Sequence, residues 1–291
     1  MVLAAGLGTR LRPLTDACAK PLVPIGDRPA LVHLLEHLDR AGFAPRVVNA
    51  HHRADDVAAA AARAGAAVSR EDDLLGTAGG VARARPLLGP GDVLVWNADI
   101  VASVDPAALV RSHRAAATLL VREAPAGEGN VGIARDGAVV RLRRETCAPG
   151  EALGGEFLGI HVLGAALAGD LPARGCLVGD VYLPALRRGV RIDAVVTRAP
   201  FRDVGTIASY LGANLDWLEG RGLRAFRAGD AVVAPGVTLD ACVIGAGARI
   251  EGRGALERVV VWPGAVAIAP LRDAVVTGAG VVPVAIPSAA M

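Results

Sequence analysis

Lysine is almost absent from this chain: all but one of its 31 basic residues are arginine, and the exception is Lys20. Net charge is small as well, +2 at neutral pH. No basic stripe or tail is present to meet a phosphate backbone, which excludes a nucleic-acid binder. No apolar run approaches the roughly eighteen residues of a membrane span. Cys18, Cys147, Cys176 and Cys242 are scattered without a Cys-x-x-Cys spacing. They read as reduced thiols, neither a disulfide framework nor a zinc site. The opening Met1–Ala5 is too short for a signal peptide and lacks a basic leader. The expectation is a soluble cytoplasmic protein.

What the chain does hold is alternation. Val2–Ala5 reads as a strand running into a Gly-rich loop. Leu31, Leu34, Leu35 and Leu38 line one face of a helix opened by Pro29 and stopped by Gly42. Arg46–Asn49 and Ala67–Arg70 read as strands, with Asp55–Arg63 a helix between them. Helix Ala78–Leu88 leads to the buried strand Val93–Trp96, which ends in Asn97-Ala98-Asp99. The order predicts an α/β fold with a doubly wound, mostly parallel, Rossmann-like sheet. In such sheets ligands sit beyond the carboxyl ends of the strands. Strands predominate over Thr118–Arg122, Val131–Arg135, Val139–Arg143 and Phe157–Leu163, suggesting an inserted or flanking antiparallel layer. Thr206 caps a predicted helix to Leu218.

The texture changes after about residue 226. Val237, Val243, Ile250 and Leu256 recur at roughly six residues, punctuated by Pro235-Gly236, Gly245, Gly247 and Pro263-Gly264. That spacing predicts a short hexapeptide β-solenoid resembling a left-handed β-helix. The expected domains are therefore 1–225 and 226–291. A solenoid of so few coils must lean on the main domain or on another subunit, and its open edge suggests homo-oligomers.

Gly6-Leu7-Gly8-Thr9-Arg10 follows a strand, and its backbone N–H groups can form a nest for anionic oxygens. A dinucleotide fingerprint fails in detail, because position 11 is Leu11 and Pro13 and Pro21 interrupt the following helix. Arg10 closes the loop as a phosphate clamp. A guanidinium is a planar fork, whereas an ammonium on a thin stem slips between crowded phosphates, so Lys20 is the cation of note. Gly76–Gly80 supports two readings: an ordinary strand-to-helix turn, or a wall of small residues on which a flat base lies. Asp99 ends a buried strand, where a hard cation with phosphate oxygens explains a carboxylate better than a helix cap. Asp203 is a second such carboxylate, with a role beside the Thr206 cap as its competitor.

Together, Leu3-Ala4-Ala5-Gly6-Leu7-Gly8-Thr9-Arg10-Leu11-Arg12-Pro13-Leu14-Thr15 with Lys20-Pro21, Leu75–Gly79, Asn97-Ala98-Asp99 and Phe201–Thr206 resemble the sugar-1-phosphate nucleotidyltransferases. The resemblance covers nearly the whole chain. It implies that Ala5, Gly6, Gly8, Thr9 and Arg10 cradle a nucleoside triphosphate and that Lys20 neutralises its α-phosphate. Gly76, Thr77, Ala78 and Gly79 would read the base, and Asp99 and Asp203 would hold Mg²⁺. Asn97, Gly132, Glu145 and Glu156 would face the sugar. Two departures stand out. The family's Glu-Lys-Pro is Glu145-Thr146-Cys147 here, so a lysine is missing that Arg143 or Arg144 could replace. The first strand is also trimmed by a few residues.

The implied reaction is attack of a sugar-1-phosphate oxygen on the α-phosphorus of a nucleoside triphosphate, in line with departing pyrophosphate. Positioning and charge neutralisation carry such chemistry without a protein nucleophile. The solenoid resembles mannose-1-phosphate guanylyltransferases and favours GTP. The compact core also resembles N-acetylmuramate-1-phosphate uridylyltransferases and transferases of UTP or dTTP to hexose phosphates. A rival reading is a non-catalytic paralogue that binds a nucleotide sugar. An acyltransferase reading of the solenoid needs a histidine in or beside it, and none of the six lies beyond His161.

Overall fold

The computed structural model describes residues 1–285, which divide into two compact units. One joins Met1–Leu7 to Leu34–Phe201; the other joins Gly8–His33 to the chain from Arg202 onward. This division differs from the expected boundary after residue 225.

The first unit is built on one ten-stranded mixed sheet. Its short strand Val2–Leu3 lies between Val47–Ala50 and Val93–Asn97, parallel to both, and Ala67–Arg70 extends the parallel run. Val47–Ala50 is buried throughout and Val93–Asn97 nearly so, whereas the edge strand Ala67–Arg70 buries only Ser69. Continuous burial of the inner strands is what a sheet covered on both faces requires. Beyond Val93–Asn97 the pairing turns antiparallel through the long strand Glu151–Leu163 to Val131–Ala134 and Val139–Leu142. The expected antiparallel layer is thus an extension of the same sheet. Strand ladders continue through hydrogen bonds, so an edge left open at Val93–Asn97 would expose unpaired backbone.

The chain leaves Val2–Leu3, Val47–Ala50 and Val93–Asn97 at the same end of the sheet, as their in-register parallel pairing demands. The Gly6 loop and Asn97–Asp99 start there. In the middle of this unit His161 is 2% exposed, and neither ring nitrogen has a hydrogen-bond partner. Burial pulls its pKa down to about 3, so the imidazole is neutral.

In the second unit, strands stack in parallel with an offset of 17 residues that shortens to 15 from Leu256 facing Leu271 onward. Ala225 faces Cys242, Val232 faces Arg249, Val237 faces Gly254, Val243 faces Val260, and Arg249 faces Val266. The repeating unit, a coil of about 17 residues, is close to three times the six-residue spacing of the sequence. Val243, Ile250 and Leu256 are buried as that period expects, while Val237 is only half-buried. Gly280–Pro283 turns back antiparallel on the last coil.

The coils do not form a core of their own. Val243, Ile244, Ile250, Leu256, Val260 and Trp262 share one cluster with Leu11, Leu14, Val23 and Ile25, and with Tyr210, Leu211 and Leu218 of helix Ile207–Glu219. Trp262 donates its indole N–H to Tyr210 Oη at 2.9 Å, and Tyr210 donates to the Pro24 carbonyl at 2.7 Å. Asn214, fully enclosed, accepts from the Gly26 amide at 2.8 Å. This sharing is why the tail belongs with Gly8–His33 and the helix.

From the sequence alone, deleting the tail from about residue 227, which carries no candidate site residue, should alter assembly or solubility more than chemistry. The shared core adds an effect on chemistry. Truncation after Arg224 strips the cover from Leu11, Leu14, Val23 and Ile25, the segment that carries Arg10 and Lys20. Uncovering several such side chains costs about 2 kcal/mol each, so the truncated chain is expected to be insoluble or inactive. Solubility, circular dichroism and turnover of the truncation check this; a soluble truncation with full turnover contradicts it.

Candidate functional site

Within the second unit, Gly8 sits in the left-handed region at φ 67 as the N-cap of a short turn, Thr9–Leu11. A Cβ there would lie 2.9 Å from both Lys20 Cβ and Thr15 Cγ2, so a side chain is excluded by backbone and space together. Thr15 is buried and donates its hydroxyl to the Gly8 carbonyl at 2.9 Å. The stem of Lys20 is therefore packed against the loop glycine, and Lys20 itself is half-buried in the turn Lys20–Leu22. Arg10 and Asp203 meet at Gly205. The Cβ position of Gly205 is 3.0 Å from Asp203 Oδ1 and 3.1 Å from Arg10 Nη2. Both side chains are exposed, the usual state of charged groups. Thr206 caps the helix that follows in a reciprocal capping box with Ser209. Capping there belongs to Thr206, so Asp203 is not the cap.

Within the first unit, Ala4 and Ala5 are buried at the end of the central strand, and Gly6 is exposed with nothing within 4 Å of a Cβ position. The Ala4 amide donates to Asn49 Oδ1 at 2.7 Å. Asn49 Nδ2 donates to Glu71 Oε1 at 2.6 Å, and the Leu75 amide donates to Glu71 Oε2 at 3.1 Å. Asn49 and Glu71 are 2% and 4% exposed. Gly80 makes room for them, since its Cβ would stand 2.6 Å from Asn49 Nδ2 and 2.8 Å from Glu71 Oε1. One buried carboxylate thus ties the entrance of the Gly6 loop to the start of the Gly76 helix. Sequence reasoning missed both residues. The available signal was the same one used for Asp99: Glu71 directly follows a strand, Ala67–Arg70.

Gly76–Gly79 forms the first turn of helix Gly76–Leu88. Gly76, at φ 75, and Gly79 admit the backbone of Gly175 and Ala173, which a Cβ at either position would strike. The Ala78 amide donates to the Gly175 carbonyl at 2.9 Å, and Thr77 Oγ1 accepts from the Leu177 amide at 2.8 Å. The small residues therefore have a packing reason in addition to any ligand. Asn97 is half-buried, with Gly159 giving way to its amide. Asp99 is half-buried in the turn after Val93–Asn97.

The residues expected to face the sugar are placed on the antiparallel extension. Glu145 opens the two-residue strand Glu145–Thr146 and is held by both nitrogens of an Arg187 fork, at 2.6 and 2.7 Å. That hydrogen-bonded guanidinium keeps the Glu145 carboxyl below its ordinary pKa. Glu156 lies 3.4 Å from Arg122. Gly132 has no room for a side chain, because Glu151 and Arg141 occupy the place a Cβ would take.

Residues 1–130 match the nucleotidyl transferase family. Over 289 residues it is 29% identical to a protein of Mycobacterium tuberculosis named mannose-1-phosphate guanylyltransferase, covering 91% of this chain and 79% of that one. It is 37% identical over 111 residues to the N-acetylmuramate alpha-1-phosphate uridylyltransferase of Neisseria meningitidis, covering 36% of this chain and 48% of that protein. Its fold is shared with HddC from Yersinia pseudotuberculosis, solved in complex with GMP-PN, at a TM-score of 0.63 and 24% identity over 74% of this chain and 97% of that one. The named relatives are nucleotidyltransferase enzymes. The HddC likeness agrees with the α/β reading of the fold.

Glu71→Ala is expected to destabilise the fold by about 2–4 kcal/mol, because the Asn49 amide and the Leu75 N–H are left buried without an acceptor. Glu71→Gln keeps one carbonyl oxygen and should lose less. Urea unfolding of the three proteins measures the difference; equal stability of the alanine variant and wild type contradicts the buried tie.

Proposed function

We propose that the chain transfers a nucleotidyl group from a nucleoside triphosphate to a sugar-1-phosphate, releasing pyrophosphate, with GTP and mannose-1-phosphate as its pair. The observation that carries the reading is the packing of the single lysine against left-handed Gly8, with Arg10 and Asp203 gathered at Gly205. A nest, a compact cation, a guanidinium and a carboxylate are the parts that hold and neutralise a triphosphate. The guanylyltransferase name of the M. tuberculosis relative, matched over most of both chains, favours the guanine and mannose pair.

In this mechanism the backbone amides of Ala5, Gly6, Gly8 and Thr9 orient the triphosphate, and Arg10 and Lys20 stabilise charge as it shifts to the leaving pyrophosphate. The sugar-phosphate oxygen forms a new bond to the α-phosphorus while the bond to the β-phosphate bridging oxygen breaks. Asp203 and Asp99 are each proposed as an oxygen ligand for Mg²⁺; exposed or half-buried carboxylates suit a hard cation that keeps part of its ligand shell from water and phosphates. When bound, Mg²⁺ neutralises phosphate charge. Gly76–Gly79 would present the base wall, and Asn97, Gly132, Glu145 and Glu156 the sugar side. The coil stack is read as a short left-handed solenoid that supports self-association.

Pyrophosphate release, measured for four nucleoside triphosphates crossed with mannose-, glucose- and N-acetylmuramate-1-phosphate, tests the assignment. GTP with mannose-1-phosphate should lead by at least about tenfold in kcat/KM, the equivalent of about one net hydrogen bond to the base edge. A lead for UTP with N-acetylmuramate-1-phosphate would shift the substrate pair to that of the Neisseria relative, and no release from any pair would favour a non-catalytic nucleotide-sugar binder. In the active pair, Lys20→Arg is expected to cut kcat by about a hundredfold or more with little change in stability, since a planar fork misfits a slot packed on Gly8. Asp203→Asn and Asp99→Asn should each abolish Mg²⁺-dependent turnover. An active Lys20→Arg enzyme would refute the role given to the ammonium.

A further inference from the structure

Arg141 and Glu151 form an ion pair that the reaction as written does not use. Their side chains are 11% and 20% exposed, and two parallel hydrogen bonds of 2.9 Å join Nε to Oε2 and Nη2 to Oε1. Each partner keeps the other charged: the pairing lowers the Glu151 carboxyl below its ordinary range and raises Arg141. The remaining donors of the guanidinium reach backbone carbonyls of Gly129 at 2.9 Å, Glu128 at 2.9 Å and Arg143 at 3.2 Å. The Glu151 carboxylate in turn accepts from the Gly127 amide at 2.7 Å.

These bonds converge on two exposed segments. The first is the loop 125–130, glycine-rich and poor in apolar anchors. Apart from the pair, it is held by the Asn130 side chain, which accepts from the Phe157 amide, and by close backbone contact of Gly129 with Gly155. The second is the turn between Val139–Leu142 and Glu145–Thr146. There Arg143 takes the left-handed φ of 58, which a residue with a side chain adopts only when its surroundings impose it. Its amide donates to the Asn130 carbonyl at 2.6 Å and its carbonyl is taken by Arg141. Gly132 completes the arrangement, because a side chain there would occupy the place of the Glu151 carboxylate.

We propose that Arg141 and Glu151 are positioning residues that lock the loop 125–130 and the Arg143 turn, and thereby set the affinity for the sugar-phosphate substrate at Gly132 and Glu145. The inference rests on the sugar side being where the proposed function puts it. A planar fork is needed, because a single guanidinium bonds a carboxylate and three carbonyls at once; an ammonium offers three donors without fixed directions. The pair acts only through backbone position, so the nucleotide and the chemical step are untouched by it.

Glu151→Gln and Arg141→Lys, each close in volume to wild type, separate this role from plain stabilisation. Both variants are expected to raise KM for the sugar-1-phosphate about tenfold, with kcat and KM for the nucleotide within about twofold, as loss of substrate positioning predicts. Hydrogen exchange should show the Gly127 amide opening at least about tenfold faster in Glu151→Gln, while amides of Val93–Asn97 stay protected. Unchanged KM for the sugar phosphate, or an equal fall in every kinetic parameter together with the unfolding temperature, would overturn the proposal. If wild type turns over none of the substrate pairs, the functional reading fails on its own, and exchange at Gly127 alone then decides whether the pair locks the loop: an unchanged rate rejects the lock.

Discussion

The carboxylate of Glu71 is the constraint around which the first unit is organised. A carboxylate taken out of water is costly unless its oxygens find donors, and here the donors are an asparagine on one strand and the first amide ahead of a helix. Asn49 passes the connection on to Ala4, where the Gly-rich loop departs. Hydrogen bonds of this kind have direction, so they set where the loop and the helix begin in a way that apolar contact does not. Gly80 records the requirement in the sequence, since any side chain there would push into the pair.

The second unit reaches the same end by packing. Arg10 and Lys20 sit on a segment with little regular structure, only short turns at Thr9–Leu11 and Lys20–Leu22. Such a segment holds its shape only where its apolar residues are buried against something rigid. Leu11, Leu14, Val23 and Ile25 find that support among the stacked coils and the helix Ile207–Glu219. The Trp262–Tyr210–Pro24 relay gives the packing a fixed register through two buried hydrogen bonds. Repeat coils that look like an appendage are therefore part of what shapes the loop with the lysine.

Charge is used differently in the two halves of the chain's chemistry. Arginine serves wherever a fork can bridge several acceptors: Arg141 on Glu151, Arg187 on Glu145, Arg202 on Asp216, Arg258 on Asp273. These bidentate pairs use the planar geometry that lysine lacks. Lys20 is kept where a narrow stem is packed against a glycine.

Much of this was legible before any coordinates. The alternation of apolar runs and helical patterns placed strands at Val2–Ala5, Arg46–Asn49, Ala67–Arg70 and Val93–Trp96, within two residues of those observed, because such signals are local and periodic. The Gly8 loop, Lys20, Arg10, Asp99 and Asp203 stood out because loops at strand ends keep only the residues their chemistry or turn geometry needs. What the sequence could not decide was which distant residues meet. Asn49 and Glu71 are 22 positions apart, Arg187 and Glu145 are 42 apart, and Trp262 and Tyr210 are 52 apart. Nothing in local periodicity distinguishes a paired buried carboxylate from a solvated one. The ion pair gives Gly132 a packing reason beside any sugar contact, and the coils share a core with residues 11–25 that no local signal near residue 225 announces. Chain proximity determined the elements and the loop chemistry; only the tertiary structure, by closing long loops around directional hydrogen bonds and shared apolar surface, decided which of them act together.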